Sequence, residues 1–150
     1  MANASAGREA TALRHEVLLD ALLEDTRPDH DASVKLIEVV QLRKVEGLVT
    51  PIILGTVTHY LQCAEKRLGT QVVMDLLTLL LDTFTMVPVT AEHFRSSIIS
   101  SFMDKEDGVQ FFAAAGHGKL FGVVSRDGDF QEHIHLPVKT AAGWLKEFSA

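Results

Sequence analysis

Residues 104–130, DKEDGVQFFAAAGHGKLFGVVSRDGDF, decide which fold the rest of the chain can adopt. The stretch predicts a helix, a short loop with two glycines, and then a buried strand. Asp104, Glu106 and Asp107 open the helix, where carboxylates suit the free N–H groups and the positive end of the dipole. Residues 120–124 are almost all apolar, as is typical of a parallel strand that is covered on both faces.

Acids return where this strand ends, at Asp127 and Asp129. Ligands of an open α/β sheet bind outside the carboxyl ends of its strands, so we expect Asp107 and Asp127 to meet at one edge of the sheet. Carboxylate oxygens there would suit a hard divalent cation. A purely local interpretation also stands, because Asp is favoured at helix starts and in turns. In that interpretation Asp104 and Asp107 only cap the helix.

Composition narrows the class of protein. A chain of 150 residues with 47% hydrophobic residues predicts one globular domain. No apolar run is long enough to cross a membrane, and the first ten residues lack the apolar segment of a signal peptide. The single Cys63 excludes an intrachain disulfide, so we expect a cytoplasmic protein. The net charge of −6 argues against a surface that coats nucleic acid, but not against a metal site made of carboxylates.

The order of elements predicts an α/β fold. Residues 1–10 are expected to form a polar tail, and residues 11–150 a single domain. Residues 11–25 are either all helix or a short strand followed by a helix. Further helices are predicted over 32–46 (ended by Gly47), 51–68, 90–100 and 104–116, and in segments that begin at 70 and 140. Strands are predicted over 48–50, 84–89, 120–124 and 136–138. This alternation predicts a three-layer α/β/α domain with a central parallel sheet.

Several short motifs then point to one family. Residues 106–110, EDGVQ, resemble an E-D-A-x-Q helix start, and residues 123–130, VVSRDGDF, resemble a V-T-R-[DN]…D-F strand end. Residues 136–145, LPVKTAAGWL, resemble a closing P-V-x-T-P-x-x-F-L segment. Together these motifs resemble the PIN domain, the fold of many metal-dependent ribonucleases and of the toxins of bacterial toxin–antitoxin pairs. The resemblance covers about residues 11–145.

The resemblance implies a site built from four acids. Two of them correspond to Asp107 and Asp127, and Asp104 and Asp129 would support these two. A third, the Glu of the helix after the second strand, corresponds to Thr56. The chain therefore departs from the family pattern, because Thr56 offers at most a hydroxyl group.

The first acid of the family can be aligned in two ways. The family pattern L-D-T-N-V-L-L-D fits residues 13–20 over its full length and places Arg14 at the acid. The other alignment uses Leu19 and Asp20 as the L-D pair, but it leaves the next helix about a turn too short before Pro28. We favour the first alignment. We nevertheless retain Asp20 as a candidate metal ligand.

The family chemistry is hydrolysis of RNA phosphodiesters with Mg²⁺ or Mn²⁺. With Arg14 and Thr56 at two of the four acid positions, we expect weak metal binding and weak catalysis. The alternative is a PIN-like module that binds nucleic acid or protein without cleaving RNA. The resemblance implies RNA, an antitoxin-like protein or a second copy of the chain as partners.

Overall fold

A central sheet of five parallel strands, in the order β3-β2-β1-β4-β5, organises the molecule. The computed structural model describes residues 9–23, 27 and 29–148, except for the side chains of residues 128, 129 and 148. The strands are β1 (Glu9–Leu13), β2 (Val45–Val49), β3 (Thr85–Met86), β4 (Leu120–Val124) and β5 (Val138–Lys139). The predicted α/β class with a parallel sheet is confirmed.

Helices cover both faces of this sheet. They are α1 (His15–Leu22), α2 (His30–Gln41), α3 (Pro51–Cys63), α4 (Glu65–Leu68), α5 (Thr70–Thr83), α6 (Ala91–Ile98), α7 (Lys105–Gly116) and α8 (Ala141–Phe148). A 3₁₀ helix, Gly128–His133, follows β4. Across the described ranges, no helix is long and apolar enough to span a membrane.

Alternate residues of the strands supply the two halves of the core, because successive side chains of a strand point to opposite faces. Leu13, Val49 and Val124 pack with α1, α2, α3, α5 and α8. Their neighbours Leu48 and Val123 belong to the clusters on the other face, which include residues of α7. The near-continuous apolar runs of β2 and β4 therefore reflect burial on both sides.

Two sequence predictions of element boundaries need correction. The first element is a strand followed by a helix, and the strand begins at Glu9, inside the predicted tail. Gly47 does not end a helix: α2 ends at Gln41, and Gly47 lies within β2. A Cβ atom at Gly47 would lie 2.5 Å from a ring carbon of Phe84. This glycine is therefore explained by close packing and not by helix termination.

The carboxyl ends of β1 and β4 lie side by side. Leu13 is paired with Val124 in the register of these strands. The N–H of Arg14 donates to the carbonyl of Val124 (3.1 Å), and the N–H of Ser125 donates to the carbonyl of Lys139 (2.9 Å). The chain therefore leaves the sheet at Arg14 and at Ser125 in neighbouring positions. This edge is where an α/β sheet binds ligands.

Candidate functional site

An acidic cleft of about 380 Å³ lies beside the end of β4 and the start of α7. The acids that line it are Asp104, Asp107, Asp127 and Glu132, and the remaining lining residues are Phe102, Met103, Phe130 and His133. The fold thus brings Asp107 and Asp127 to the same cleft although they are twenty positions apart in the sequence. Asp129 follows Asp127, but its side chain is outside the described part of the structure.

Asp104 also performs the local role that its position suggests. Its Oδ1 atom accepts hydrogen bonds from the N–H groups of Glu106 (2.9 Å) and Asp107 (3.3 Å). It therefore caps α7 and satisfies two of the N–H groups that a helix start leaves free. This cap fixes the first turn of α7, on which Asp107 lies.

Arg14 enters this edge of the sheet from the end of β1. Only 8% of the residue is exposed, and its Nη1 donates to Oδ1 of Asp107 in an ion pair. Its guanidinium carbon lies 5.2 Å from the centroid of the Phe130 ring, which is close enough for a cation–π contact. Arg14 thus follows the first strand directly, as in the alignment that we favour, whereas Asp20 lies within α1.

Burial raises the pKa of Asp107 above its ordinary value of 3.8. Arg14 acts in the opposite direction, through its charge and its hydrogen bond, while the nearby charges of Asp104 and Asp127 add to the increase. Burial disfavours a charged carboxylate, and a neighbouring cation favours it. Arg14 therefore offsets part of the cost of holding Asp107 in this place.

Glu16 is a further acid at this edge of the sheet, and the sequence motifs did not indicate it. Its Oε1 accepts from the hydroxyl of Ser125 (2.9 Å) and from the N–H of Arg126 (3.3 Å). The oxygen of Ser125 in turn accepts from the N–H of Asp127 (2.9 Å). Glu16 thus fixes the loop that carries Asp127. The available signal was its position just after the first strand, where parallel strands place their ligands.

Asp20 is not among the residues that line the acidic cleft. Its side chain is fully buried and is held by two arginines. Nε of Arg126 lies 2.9 Å from Oδ2, and Nε of Arg27 lies 3.2 Å from Oδ1. Asp20 thus connects α1 to the loop after β4 and to the segment before α2, which is a structural role.

Thr56, which the resemblance in sequence places at the position of the family Glu, lies on α3. Its hydroxyl donates to the carbonyl of Ile52 in the preceding turn (3.1 Å). Thr56 is also absent from the lining of the acidic cleft. The hydroxyl group of Thr56 therefore forms its hydrogen bond within its own helix.

The carboxylates of this site are not arranged to bind a divalent cation firmly. In the ranges that the structure describes, no three His, Cys, Asp or Glu residues are grouped so that they could hold a metal ion. Asp107, the central candidate ligand, is already paired with Arg14. An Mg²⁺ site would need its carboxylate oxygens about 2.0–2.1 Å from the ion, without a competing cation.

The fold is that of a known family. A model of the PIN domain matches residues 16–129, and the chain therefore belongs to the PIN domain family. Among solved structures, it is similar to VapC20 of Mycobacterium tuberculosis, a toxin that cleaves the sarcin–ricin loop. The TM-score is 0.59 and the sequence identity is 14%, over 84% of this chain and 98% of VapC20.

At that identity the likeness to VapC20 shows a shared fold. Among curated proteins, no sequence matches this chain.

Proposed function

We propose that this protein is a PIN-domain relative of metal-dependent endoribonucleases that cleaves RNA weakly or not at all. Membership of the PIN family supports the relation to ribonucleases. The proposal that cleavage is weak or absent rests on the ion pair between Arg14 and Asp107. When bound, the Mg²⁺ or Mn²⁺ of such enzymes activates water and offsets charge on the phosphate. Asp107 and Asp127 are the residues that would hold it here.

Electrostatics explains why Arg14 weakens this chemistry. A guanidinium and a divalent cation that are about 4 Å apart repel each other by about 8 kcal/mol at an effective dielectric constant near 20. Solvent and ions reduce this repulsion energy, but the interaction remains unfavourable. A cation that approaches Asp107 must therefore displace Arg14 or bind against its charge.

The test is to restore the family acids. Arg14→Asp together with Thr56→Glu should bind Mn²⁺ more tightly than the wild type and should gain Mn²⁺-dependent cleavage of single-stranded RNA. Adding Asp107→Asn to this double variant should remove the gain, which excludes a contaminating nuclease. Circular dichroism checks that the variants are folded. Restored Mn²⁺ binding without any cleavage would contradict the proposal that the two substitutions limit activity.

A second candidate function, a binding module, is favoured by the surface of α6. Ser97 is the buried residue of this helix. Its Oγ donates to the carbonyl of Lys105 (2.6 Å), and it packs against Gly108 of α7. Phe102, after this helix, is buried, but four other large apolar side chains of α6 and the segment after it are exposed: Phe94 50%, Ile98 65%, Ile99 88% and Met103 89%.

An apolar surface of this kind next to an acidic cleft suits a protein partner with apolar and basic side chains. Met103 belongs to both features, since it also lines the acidic cleft. We therefore propose that this apolar surface binds an antitoxin-like protein that blocks the cleft.

Site-specific photocrosslinking tests the binding module. A photoreactive residue at position 99 should crosslink a discrete protein in cells, and the same residue at Leu42, which is 66% exposed, serves as the control. Mass spectrometry then distinguishes a second copy of the chain from a different partner. Identical crosslinking patterns at both positions would contradict a binding surface on α6.

A further inference from the structure

Two arginines meet at the buried carboxylate of Asp20. Nε of Arg27 donates to Oδ1 of Asp20 (3.2 Å), and Nη2 of Arg126 donates to the same oxygen (3.3 Å). Nε of Arg126 also lies 2.9 Å from Oδ2. The side chain of Asp20 is fully buried, whereas the side chains of Arg27 and Arg126 are 30% and 33% exposed. The acid therefore holds two neighbouring guanidinium groups that reach the surface.

Further hydrogen bonds fix the segments that carry these arginines. The N–H of Arg126 donates to Oε1 of Glu16 (3.3 Å). The N–H of His30 donates to the carbonyl of Arg27 (3.2 Å), and Nδ1 of His30 donates to the carbonyl of Asp20 (2.7 Å). A guanidinium that is already positioned loses less conformational freedom when it binds a ligand. The two arginines are thus preorganised.

The charges of this group do not balance. Two guanidinium groups carry two positive charges, and Asp20 offsets one of them. Among the described residues, Nη1 of Arg126 and both terminal nitrogens of Arg27 have no acceptor. Guanidinium N–H groups match the oxygens of phosphate and carboxylate groups. An anion at the surface would accept from these N–H groups and balance the remaining charge.

We propose that Arg27 and Arg126 bind the phosphate backbone of single-stranded RNA at the rim of the acidic cleft. Arg126 directly precedes Asp127, which lines this cleft, and the Cα atoms of successive residues are about 3.8 Å apart. The cleft is lined by four acids and, in the described part of the chain, by no arginine or lysine. Its acids repel phosphate, so the attraction must come from cations beside it.

The choice of RNA as the ligand rests on the proposed function, but the site concerns binding and not cleavage. Fluorescence anisotropy of a labelled single-stranded RNA, in EDTA and at low salt, measures binding without cleavage. Arg27→Gln and Arg126→Gln should each weaken binding by about threefold to tenfold, since each removes charge-assisted hydrogen bonds that are partly exposed to solvent. The salt dependence of log affinity should become less steep by about 0.7 for each phosphate contact that is lost.

Arg95→Gln is the matched control for the loss of charge. Arg95 is 67% exposed and is already paired with Glu92 on α6, so its replacement should leave the RNA affinity nearly unchanged. Lysine variants guard against loss of folding, because they keep a positive charge beside Asp20 while removing the planar fork of arginine. Arg126→Lys should be folded by circular dichroism and should bind RNA more weakly than Arg95→Lys.

Three outcomes would overturn the proposal. The first is that the wild type does not bind RNA at low salt. The second is that the variants of Arg27 and Arg126 lose no more affinity than those of Arg95. The third is that a poly-glutamate peptide of the same length binds as tightly as RNA, which would indicate an acidic protein as the partner. Robust cleavage by the wild type would instead contradict the proposed function and leave this result unchanged, because binding is measured in EDTA.

Discussion

The side chain of Arg14 determines the electrostatic environment of Asp107. Burial and the nearby acids raise the pKa of Asp107, and Arg14 is the group that lowers it. The two effects oppose each other because burial penalises the charged form and a cation stabilises it. A single substitution at position 14 thus changes both the charge of the site and the proton affinity of its central acid.

We therefore predict that Arg14→Met raises the pKa of Asp107 further. The carboxyl carbon resonance of Asp107, followed by NMR in the presence of EDTA, reports this pKa directly. A fall in the pKa, or an unchanged value, would contradict the role of Arg14.

The same shift has a consequence for stability. An Asp whose folded-state pKa is raised contributes stability that is fully present below its unfolded value, here 3.8, and that is lost as the pH rises through the folded pKa. Arg14→Met should therefore lose more stability than the wild type as the pH rises through this range. Denaturant unfolding at a series of pH values measures the difference, and parallel curves for the two proteins would contradict it.

The contribution of Asp20 to the stability of the fold can be tested by substitution. Asp20→Asn would remove the negative charge that holds Arg27 and Arg126. Because both arginines are about one-third exposed, we expect a loss of about 1–3 kcal/mol, below the cost of an uncompensated charge in a dry interior. Urea unfolding measures this loss. An increase in stability would contradict the role assigned to Asp20.

At the scale of elements, the glycines show why some boundaries could be predicted and others could not. Apolar runs and helix-start residues correctly indicated β4 and α7, since these signals are local. Gly47 gave a wrong helix end, because the reason for it is the ring of Phe84, far along the chain. The periodicity of the sequence did not decide between a strand and a helix at β1 for a similar reason. A short strand at the centre of a sheet is defined by its neighbouring strands.

A pair of glycine variants tests this packing argument. A Cβ atom at Gly122 in β4 would lie 2.5 Å from Trp144 and 2.6 Å from the carbonyl oxygen of Pro137, so Gly122→Ala should destabilise the chain by about 1–3 kcal/mol. Gly55 on α3 has no atom within 4 Å of such a Cβ, and Gly55→Ala should stabilise it by about 0.5–1 kcal/mol. Thermal unfolding measures both, and a stabilising Gly122→Ala would contradict the structure of this face.

At the scale of the whole molecule, the sequence indicated the fold and the convergence of Asp107 and Asp127, because both follow from the order of strands and helices. It did not reveal the contact of Glu16 with Ser125, since the two residues belong to different elements. It also could not show which groups surround Arg14, because that depends on how the side chains of β1, α1 and α7 pack together. The ion pair between Arg14 and Asp107 is thus a property of the assembled sheet edge.

Cleavage of single-stranded RNA in the presence of Mn²⁺, compared between the wild type and Asp107→Asn, tests the central claim most directly. If Arg14 occupies the place of the cation, the wild type should cleave no faster than Asp107→Asn, and both should remain near the rate without metal. Robust cleavage by the wild type that Asp107→Asn abolishes would contradict the claim, since it would show that Asp107 supports metal-dependent catalysis with Arg14 in place.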